Sequence, residues 1–136
     1  MRVFGYSEWV WRHWHRLLGI AAMEQIVTHP KLGASWEGFA LEQIIRLSGA
    51  DEQEVFFWGV HNQAELDLLV FRKGWRMRYE VKYSDAPRVT TSQTQALELL
   101  GLESLTVVIP GDADYPLADK IRVAGLNRIV ADGIPD

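Results

Sequence analysis

Apolar and polar residues alternate along two runs within residues 62–83, and the runs flank the dipeptide Lys73-Gly74. Alternation of this kind predicts two antiparallel strands, and glycine readily takes the positive φ that a tight connecting turn requires. Pairing Arg72 with Trp75 across the turn fixes which residues face each other along the hairpin. One side is almost entirely apolar and is the expected core face, formed by Leu66, Leu68, Val70, Met77, Tyr79 and Val81.

In this register two carboxylates, Asp67 and Glu80, lie directly opposite each other on the other side of the hairpin. Such carboxylates repel unless a cation or a proton lies between them, and oxygen ligands of this kind suit a hard ion such as Mg²⁺. Lys82 follows Glu80 by two residues on the same face, so its ammonium can stabilise developing negative charge or position a water. The pattern of an Asp followed by Glu-x-Lys therefore predicts a candidate metal site.

The same residues have a plainer interpretation. Ion pairs on exposed strand faces are common and contribute little stability. In that interpretation the two acids are part of a solvated face and pair with Arg76, Arg78 and Lys82. Spacing alone does not decide between the two.

A first helix is predicted from Trp36 to about Leu47, with Ser35 as its N-cap, Gly49 as its stop and residues 31–33 as a preceding loop. Glu37 is then a first-turn acid, which the helix dipole favours. Apolar residues recur at helical spacing, so this helix is expected to bury a stripe of Trp36, Phe39, Ala40, Ile44 and Leu47.

The remaining patterns complete an α/β domain. The order helix, three-stranded antiparallel meander, helix and strand predicts a mixed sheet flanked by helices. The further elements are a strand over 54–60, a loop over 84–87, a helix that Thr90, Thr91 or Ser92 caps and that runs to Leu100, a short apolar strand over 105–109, a strand over 120–123 and a terminal helix over 126–130.

The first 28 residues predict a helical extension, and residues 29–136 form the domain itself. Ser7 is a plausible N-cap for a helix to Leu18, and a shorter helix is expected over 21–27, before a proline. The first of these helices is rich in tryptophan. These side chains are expected to dock on the domain or on a missing neighbour, rather than to stack on bases.

Composition limits the class of protein. A chain of 136 residues with 48% apolar and 24% charged residues fits one globular domain. There are no cysteines, which excludes disulfides, thiol catalysis and cysteine-bound metals and favours a cytoplasmic setting. No apolar run approaches the roughly 20 residues that span a bilayer, and no signal-peptide pattern opens the chain, so no membrane partner is expected.

Charge bears on nucleic-acid binding in two ways. The formal net charge of −4 argues mildly against binding of nucleic acid over the whole protein surface. A local basic patch is nevertheless expected around the hairpin and its exit, formed by Arg72, Lys73, Arg76, Arg78 and Arg88.

With Glu37, Asp67, Glu80 and Lys82 in this order, the chain resembles the PD-(D/E)XK nuclease superfamily. In that restriction-endonuclease-like core, an acid on the first helix joins an Asp and a Glu-x-Lys on the central hairpin. A closer resemblance covers about residues 17–130 and is to an uncharacterised C-terminal domain of prokaryotic AAA-type ATPases. Its elements are His-Pro-Lys-Leu-Gly-Ala-Ser-Trp-Glu-Gly-Phe (29–39), Phe-Trp (57–58), Ala-Glu-Leu-Asp-Leu-Leu-Val (64–70), Glu-Val-Lys (80–82) and Val-Ile-Pro-Gly (108–111).

The resemblance implies metal-assisted hydrolysis of phosphodiester bonds, with DNA as the expected substrate. Asp67 and Glu80 would hold Mg²⁺ or Mn²⁺, with the Val81 carbonyl as a further ligand. Glu37 would hold a second ion or a metal-bound water, and Lys82 would orient or help to deprotonate the attacking water. Nucleic-acid contacts are expected from Arg76, Arg78 and Arg88.

Two departures leave other functions open. No Gly-x-x-x-x-Gly-Lys-Ser/Thr motif is present, so this chain looks like the C-terminal piece alone and no ATPase activity is expected from it. The tryptophan-rich stretch over 8–15 also differs from the family pattern. The alternatives are a catalytically weak or inactive module that docks protein or DNA, and a fragment without a function of its own.

Overall fold

The computed structural model describes residues 2–5, 31–60 and 64–134. These residues form ten regular elements and a 3-10 turn at Glu52–Glu54. The strands are β1 (Arg2–Gly5), β2 (Val55–Val60), β3 (Ala64–Arg72), β4 (Trp75–Val81), β5 (Leu105–Ile109), β6 (Asp114–Ala118) and β7 (Ile121–Gly125), and the helices are α1 (Lys31–Ser48), α2 (Thr91–Leu99) and α3 (Leu126–Asp132).

The strands of the described residues form one seven-stranded sheet in the order β1-β2-β3-β4-β5-β7-β6. β5 pairs in parallel with β4 on one side and with β7 on the other. Every other pairing is antiparallel. The predicted α/β domain with a mixed sheet is therefore confirmed. None of the helices in this part of the chain combines the length and apolar character that a bilayer crossing requires.

The central hairpin has the predicted register. Arg72 pairs with Trp75, and the ladder continues as far as Leu68 and Tyr79. Both turn residues have positive φ, 50° at Lys73 and 84° at Gly74. Two consecutive residues with positive φ are typical of the two-residue hairpin turn, whose twist matches that of the flanking strands.

A β-bulge interrupts β3 on its other edge. Between Phe56 and Trp58 the register of β2 against β3 shifts by one residue. Asp67 and Leu68 therefore oppose a single residue of β2, which bends the strand and changes the direction in which its side chains point.

The bulge corrects the predicted core face. Alternation alone places Leu66 on the same side as Leu68, and that prediction is wrong. Leu66 packs with Trp58 and Leu69 beneath Ala96 of α2, whereas Leu68 belongs to the core on the opposite side of the sheet. The extra residue in β3 moves every side chain before it to the other face.

The sheet is covered on both faces. α1 and α3 contribute Ala40, Ile44 and Ile129 to the larger core, and α2 contributes Ala96 to the smaller one. Strand β5 is buried along most of its length, as its uniformly apolar sequence predicts. The side of the hairpin that carries Leu69 is thus covered by a helix and is not a freely solvated surface.

α1 begins at Lys31, so the loop predicted over 31–33 is wrong. The glycine in this stretch suggested a loop, since a helical glycine costs about 1 kcal/mol relative to alanine. In the fold Gly33 packs against Tyr83, and a Cβ at position 33 would lie 3.5 Å from the Tyr83 Cβ. That distance is an ordinary van der Waals contact, so the fold has room for a Cβ at this position, and α1 continues through it.

The buried stripe of α1 is rotated from the prediction. Phe39 is 55% exposed and Leu47 is 38% exposed, whereas Leu41 and Ser48 are buried. The stripe that faces the sheet follows Leu41, Ile44 and Ser48, and Glu37 lies one turn before Leu41 on the same line. Glu37 therefore faces the sheet, and it lies in the second turn of α1 because the helix starts early.

The later elements agree well with the sequence patterns. Thr90 caps α2, its hydroxyl accepting from the Gln93 N–H, and the Gln93 side chain accepts from the Thr90 N–H in return. The strand at 121–125 and the helix after it are also as expected. β1 and β6 were not predicted, and the helices expected over 7–18 and 21–27 lie outside the described residues.

Gly125→Ala is expected to destabilise the fold strongly. A Cβ there would lie 2.1 Å from the Gly111 carbonyl oxygen and 2.7 Å from the Ala113 nitrogen, so backbone must move. Gly38→Ala in α1 is the matched control, since nothing lies within 4 Å of its Cβ. Denaturant unfolding should show a loss of about 2 kcal/mol or more for Gly125→Ala and a gain of about 0.5–1 kcal/mol for Gly38→Ala. Equal effects would contradict this account.

Candidate functional site

The four predicted site residues converge where β4 ends. The Val81 N–H donates to Asp67 Oδ2 at 2.9 Å. The Tyr83 N–H donates to Glu37 Oε1 at 3.1 Å. Because Glu80 and Lys82 flank Val81, both acids from other elements reach the same short stretch of backbone.

The bulge places the Asp67 carboxylate there. The β3–β4 ladder ends at Leu68 and Tyr79, one residue before Asp67 and Glu80. Beyond that point the Val81 N–H donates to the Asp67 side chain instead of to the β3 backbone. β-bulges are common beside active sites because they redirect a side chain in this way.

The electrostatic state of Asp67 is unusual. Burial of its carboxyl group is the largest cause that raises its pKa, from 3.8 to about 7. The Val81 N–H lowers the pKa, the negative charges of Glu80 and Glu37 raise it, and Lys82 lowers it slightly. The protein thus holds a carboxyl group close to two others without enough positive charge to keep it fully ionised at neutral pH.

The plainer interpretation does not hold for Asp67. Within the described residues Asp67 forms no ion pair. Arg78 points away, and its guanidinium lies 3.4 Å from both the carbonyl and the hydroxyl oxygen of Ser104. Burial and the neighbouring Arg76 lower the pKa of Arg78. Arg76 and Arg78 therefore crowd each other at the turn end of the hairpin and do not neutralise Asp67.

The carboxylates fit a divalent ion in part. Among the described side chains, no group of three or more His, Asp or Glu is placed to hold a metal. Mg²⁺, however, is commonly bound through one or two carboxylates, with water and substrate phosphate completing its shell. Asp67, Glu80 and the Val81 carbonyl carry oxygen atoms of the type that such an ion binds, and the raised pKa of Asp67 shows where added positive charge would be favourable.

A second feature is a cleft of about 660 Å³ at the turn end of the hairpin, away from the carboxylates. β4 extends past β5 here, since their pairing starts only at Tyr79. Arg76 and Trp75 line the cleft, and Trp75 is 65% exposed. Arg88 is exposed on the loop that follows β4, near the other end of the hairpin. The predicted basic patch is therefore divided between two places.

Sequence reasoning did not single out Tyr83. It follows Lys82 directly, is 48% exposed and lies with its ring centroid 5.8 Å from that of Trp36. An aromatic residue immediately after Glu-x-Lys was the available signal. Its contact with α1 was hidden, because residues 31–33 were expected to form a loop.

Asp67→Asn is expected to stabilise the metal-free protein at pH 8 more than at pH 5. The folded state holds the Asp67 proton more tightly than the unfolded chain does, so this group's contribution to stability falls as the pH rises from about 4 to about 7. Each pKa unit corresponds to about 1.4 kcal/mol, so the gain at pH 8 is on the order of 1–4 kcal/mol.

Thermal melts in EDTA at the two pH values measure this difference. Asp119→Asn, in the exposed β6–β7 turn, is the control for the loss of one negative charge. A gain for Asp67→Asn that is the same at pH 5 and pH 8 would contradict the raised pKa.

Comparisons with known proteins identify a family of unknown function. The model of the family described as "Domain of unknown function (DUF4143)" matches residues 32–129. Uncharacterised proteins of Mycobacterium bovis and Mycobacterium tuberculosis are each 38% identical over 122 residues, which cover 90% of this chain and 27% of either relative. The chain thus spans about a quarter of the length of these relatives. No solved structure matches it significantly. The chain belongs to the DUF4143 family.

Proposed function

We propose that this domain is a Mg²⁺-dependent nuclease that hydrolyses phosphodiester bonds in DNA and has a restriction-endonuclease-like core. The observation that carries the proposal is the Asp67 carboxylate, held at a β-bulge by the Val81 N–H beside Glu80 and Lys82. A carboxyl group with a strongly perturbed pKa next to other charged groups is a candidate for function.

Each residue has a distinct role in this proposal. Asp67 and Glu80, with the Val81 carbonyl, would hold Mg²⁺ or Mn²⁺. When bound, the ion would supply an activated water and stabilise negative charge on the phosphate. Lys82 is exposed beside these acids, so its ammonium can hold the attacking water in place and balance charge that develops on the phosphate oxygens.

Glu37 would act from the opposite wall of the site. Its Oε1 is held by the Tyr83 N–H, and its charge contributes to the raised pKa of Asp67. The second carboxylate oxygen of Glu37 can accept from a water near the metal. A second ion bound by Glu37 is the other role that the resemblance implies.

Arginines on either side of the site would bind the DNA backbone. Arg76 lines the cleft at the turn end of the hairpin, with Arg78 beside it, and Arg88 is exposed on the loop after β4. Phosphate contacts fix the position of a nucleic acid without reading its sequence. The net charge of −4 makes such local contacts the expected mode of binding.

The proposed setting is a larger ATPase. The relatives are almost four times as long as the matched segment, and the sequence resembles the C-terminal domain of AAA-type ATPases. We therefore expect a cytoplasmic protein in which the tryptophan-rich N-terminus contacts an ATPase domain or another partner.

The second candidate function is a docking module without catalysis. The observation that favours it is that no group of three acidic or histidine side chains in the described part of the chain is placed for a metal. Such a module would use the arginines and Trp75 to bind DNA or a partner protein.

Cleavage of plasmid and branched DNA in Mg²⁺ or Mn²⁺ tests the proposal. Lys82→Ala is expected to reduce the cleavage rate by roughly 100- to 1,000-fold, the usual loss when one group that stabilises a transition state is removed. Metal affinity should change little, since Lys82 holds no metal. Lys120→Ala, in the exposed β6–β7 turn, is the matched control and should cleave as the wild type does.

The outcomes separate the two candidate functions. Cleavage by the wild type that Lys82→Ala removes supports the nuclease. DNA binding without cleavage in either metal supports the docking module. Equal activity of the wild type and Lys82→Ala would reject the site as the source of any cleavage.

A further inference from the structure

The side chain of Tyr83 lies at the exit of the candidate site and is not used by the proposed chemistry. It follows Lys82 directly, in the loop between β4 and α2, and 48% of the residue is exposed. Large aromatic side chains usually bury most of their area. One that stays half-exposed beside a group of charged residues is a candidate contact for a ligand.

Residues of α1 contact Tyr83 and hold it in position. A Cβ at Gly33 would lie 3.5 Å from both Cβ and Cδ1 of Tyr83, so the base of its side chain packs against the helix surface there. The ring of Trp36 meets it at an interplanar angle of 48°, with 5.8 Å between centroids. Glu37 accepts from the Tyr83 N–H and fixes the backbone. Contacts from about one turn of α1 thus hold the backbone, the base of the side chain and the ring in place.

A ring that is already fixed binds a flat partner at little cost in side-chain entropy. The surrounding charges indicate what that partner is. Lys82 directly precedes Tyr83 and Arg88 follows on the same loop; both are exposed and attract phosphate, which the exposed Asp85 between them opposes in part. A planar ligand that is linked to phosphates is a nucleotide.

We propose that Tyr83 is a stacking platform for the base of an unpaired nucleotide next to the phosphodiester bond that the Asp67–Glu80–Lys82 site would cleave. This inference rests on the proposed function and names its substrate class. A base inside a duplex is stacked on both sides and cannot reach an aromatic ring on the protein surface without leaving the helix. Single-stranded segments, flaps and frayed ends present such bases freely.

Stacking of this kind tolerates any sequence, because every base has a π-face. The enzyme would therefore distinguish DNA structure rather than DNA sequence. The phenol hydroxyl is not needed for the contact, so phenylalanine at this position is expected to serve equally well.

The test compares two DNAs of the same sequence, one fully paired and one with an unpaired flap, in binding and in cleavage. Tyr83→Leu keeps the bulk against Gly33 but removes the π-face, and it leaves the backbone N–H for Glu37. It is expected to weaken binding of the flap DNA by roughly 5- to 100-fold, the range for loss of one base–aromatic stack. Its effect on the paired DNA should be smaller. Tyr83→Phe should behave as the wild type does.

A direct readout is the fluorescence of 2-aminopurine in the flap next to the junction, which stacking quenches. Quenching is expected with the wild type and with Tyr83→Phe, and its loss with Tyr83→Leu. Tyr115→Ala, on the edge strand β6 three strands away from β4, is the control for removal of a partly exposed tyrosine. Thermal melts verify that each variant is folded.

Failure of the inference is distinguishable from failure of the proposed function. If the wild type cleaves both DNAs, and Tyr83→Leu loses the same fraction of its activity on each or loses none, the stacking platform is rejected and the nuclease proposal stands. A wild-type protein that neither binds nor cleaves either DNA rejects both.

Discussion

The hydrogen bond from the Val81 N–H to the Asp67 carboxylate is the contact on which the arrangement of the site depends. At this point β4 leaves its antiparallel partner β3, whose bulge has turned Asp67 toward it. On its other edge the chain stays attached to β5, through the Lys82 N–H and the Val108 carbonyl oxygen at 2.8 Å. Glu80 and Lys82 are therefore fixed by β5, while the side facing β3 is open to a carboxylate. The fold thus brings three charged side chains together at a strand end without a flexible loop.

This arrangement is unfavourable for the isolated domain. Asp67 has a raised pKa because it is buried near Glu80 and Glu37, and Lys82 offsets only part of the repulsion. Ordinary surface acids would be ion-paired or solvated, as Asp114 is with Arg122 and Arg128 at the far edge of the sheet. Sites that depart from local consistency in this way are usually functional, because a fold tolerates such strain where a ligand relieves it. A divalent cation relieves it most directly.

Much of the fold could be predicted from the sequence, because its signals are local. The Lys73-Gly74 turn sets the hairpin register, the uniform apolar run over 105–109 indicates a buried strand, and Thr90 caps α2. The bulge at Asp67 could not be predicted, since nothing in the alternation of β3 marks an extra residue. The start of α1 could not be predicted because Lys31-Leu32-Gly33 carries a loop signal, whereas in the fold this stretch is helical and Gly33 lies against Tyr83. Both errors concern contacts between elements, which the pattern within one element does not encode.

The most direct test of the central claim is a calorimetric titration of Mn²⁺ into the wild type and Asp67→Asn at pH 8, where Asp67 is ionised in most molecules. This account predicts saturable binding to the wild type and at least a tenfold loss of affinity, about 1.4 kcal/mol, when Asp67 loses its charge. Equal binding by the two folded proteins, or no binding to the wild type with DNA present, would contradict the claim that Asp67 and Glu80 form a metal site.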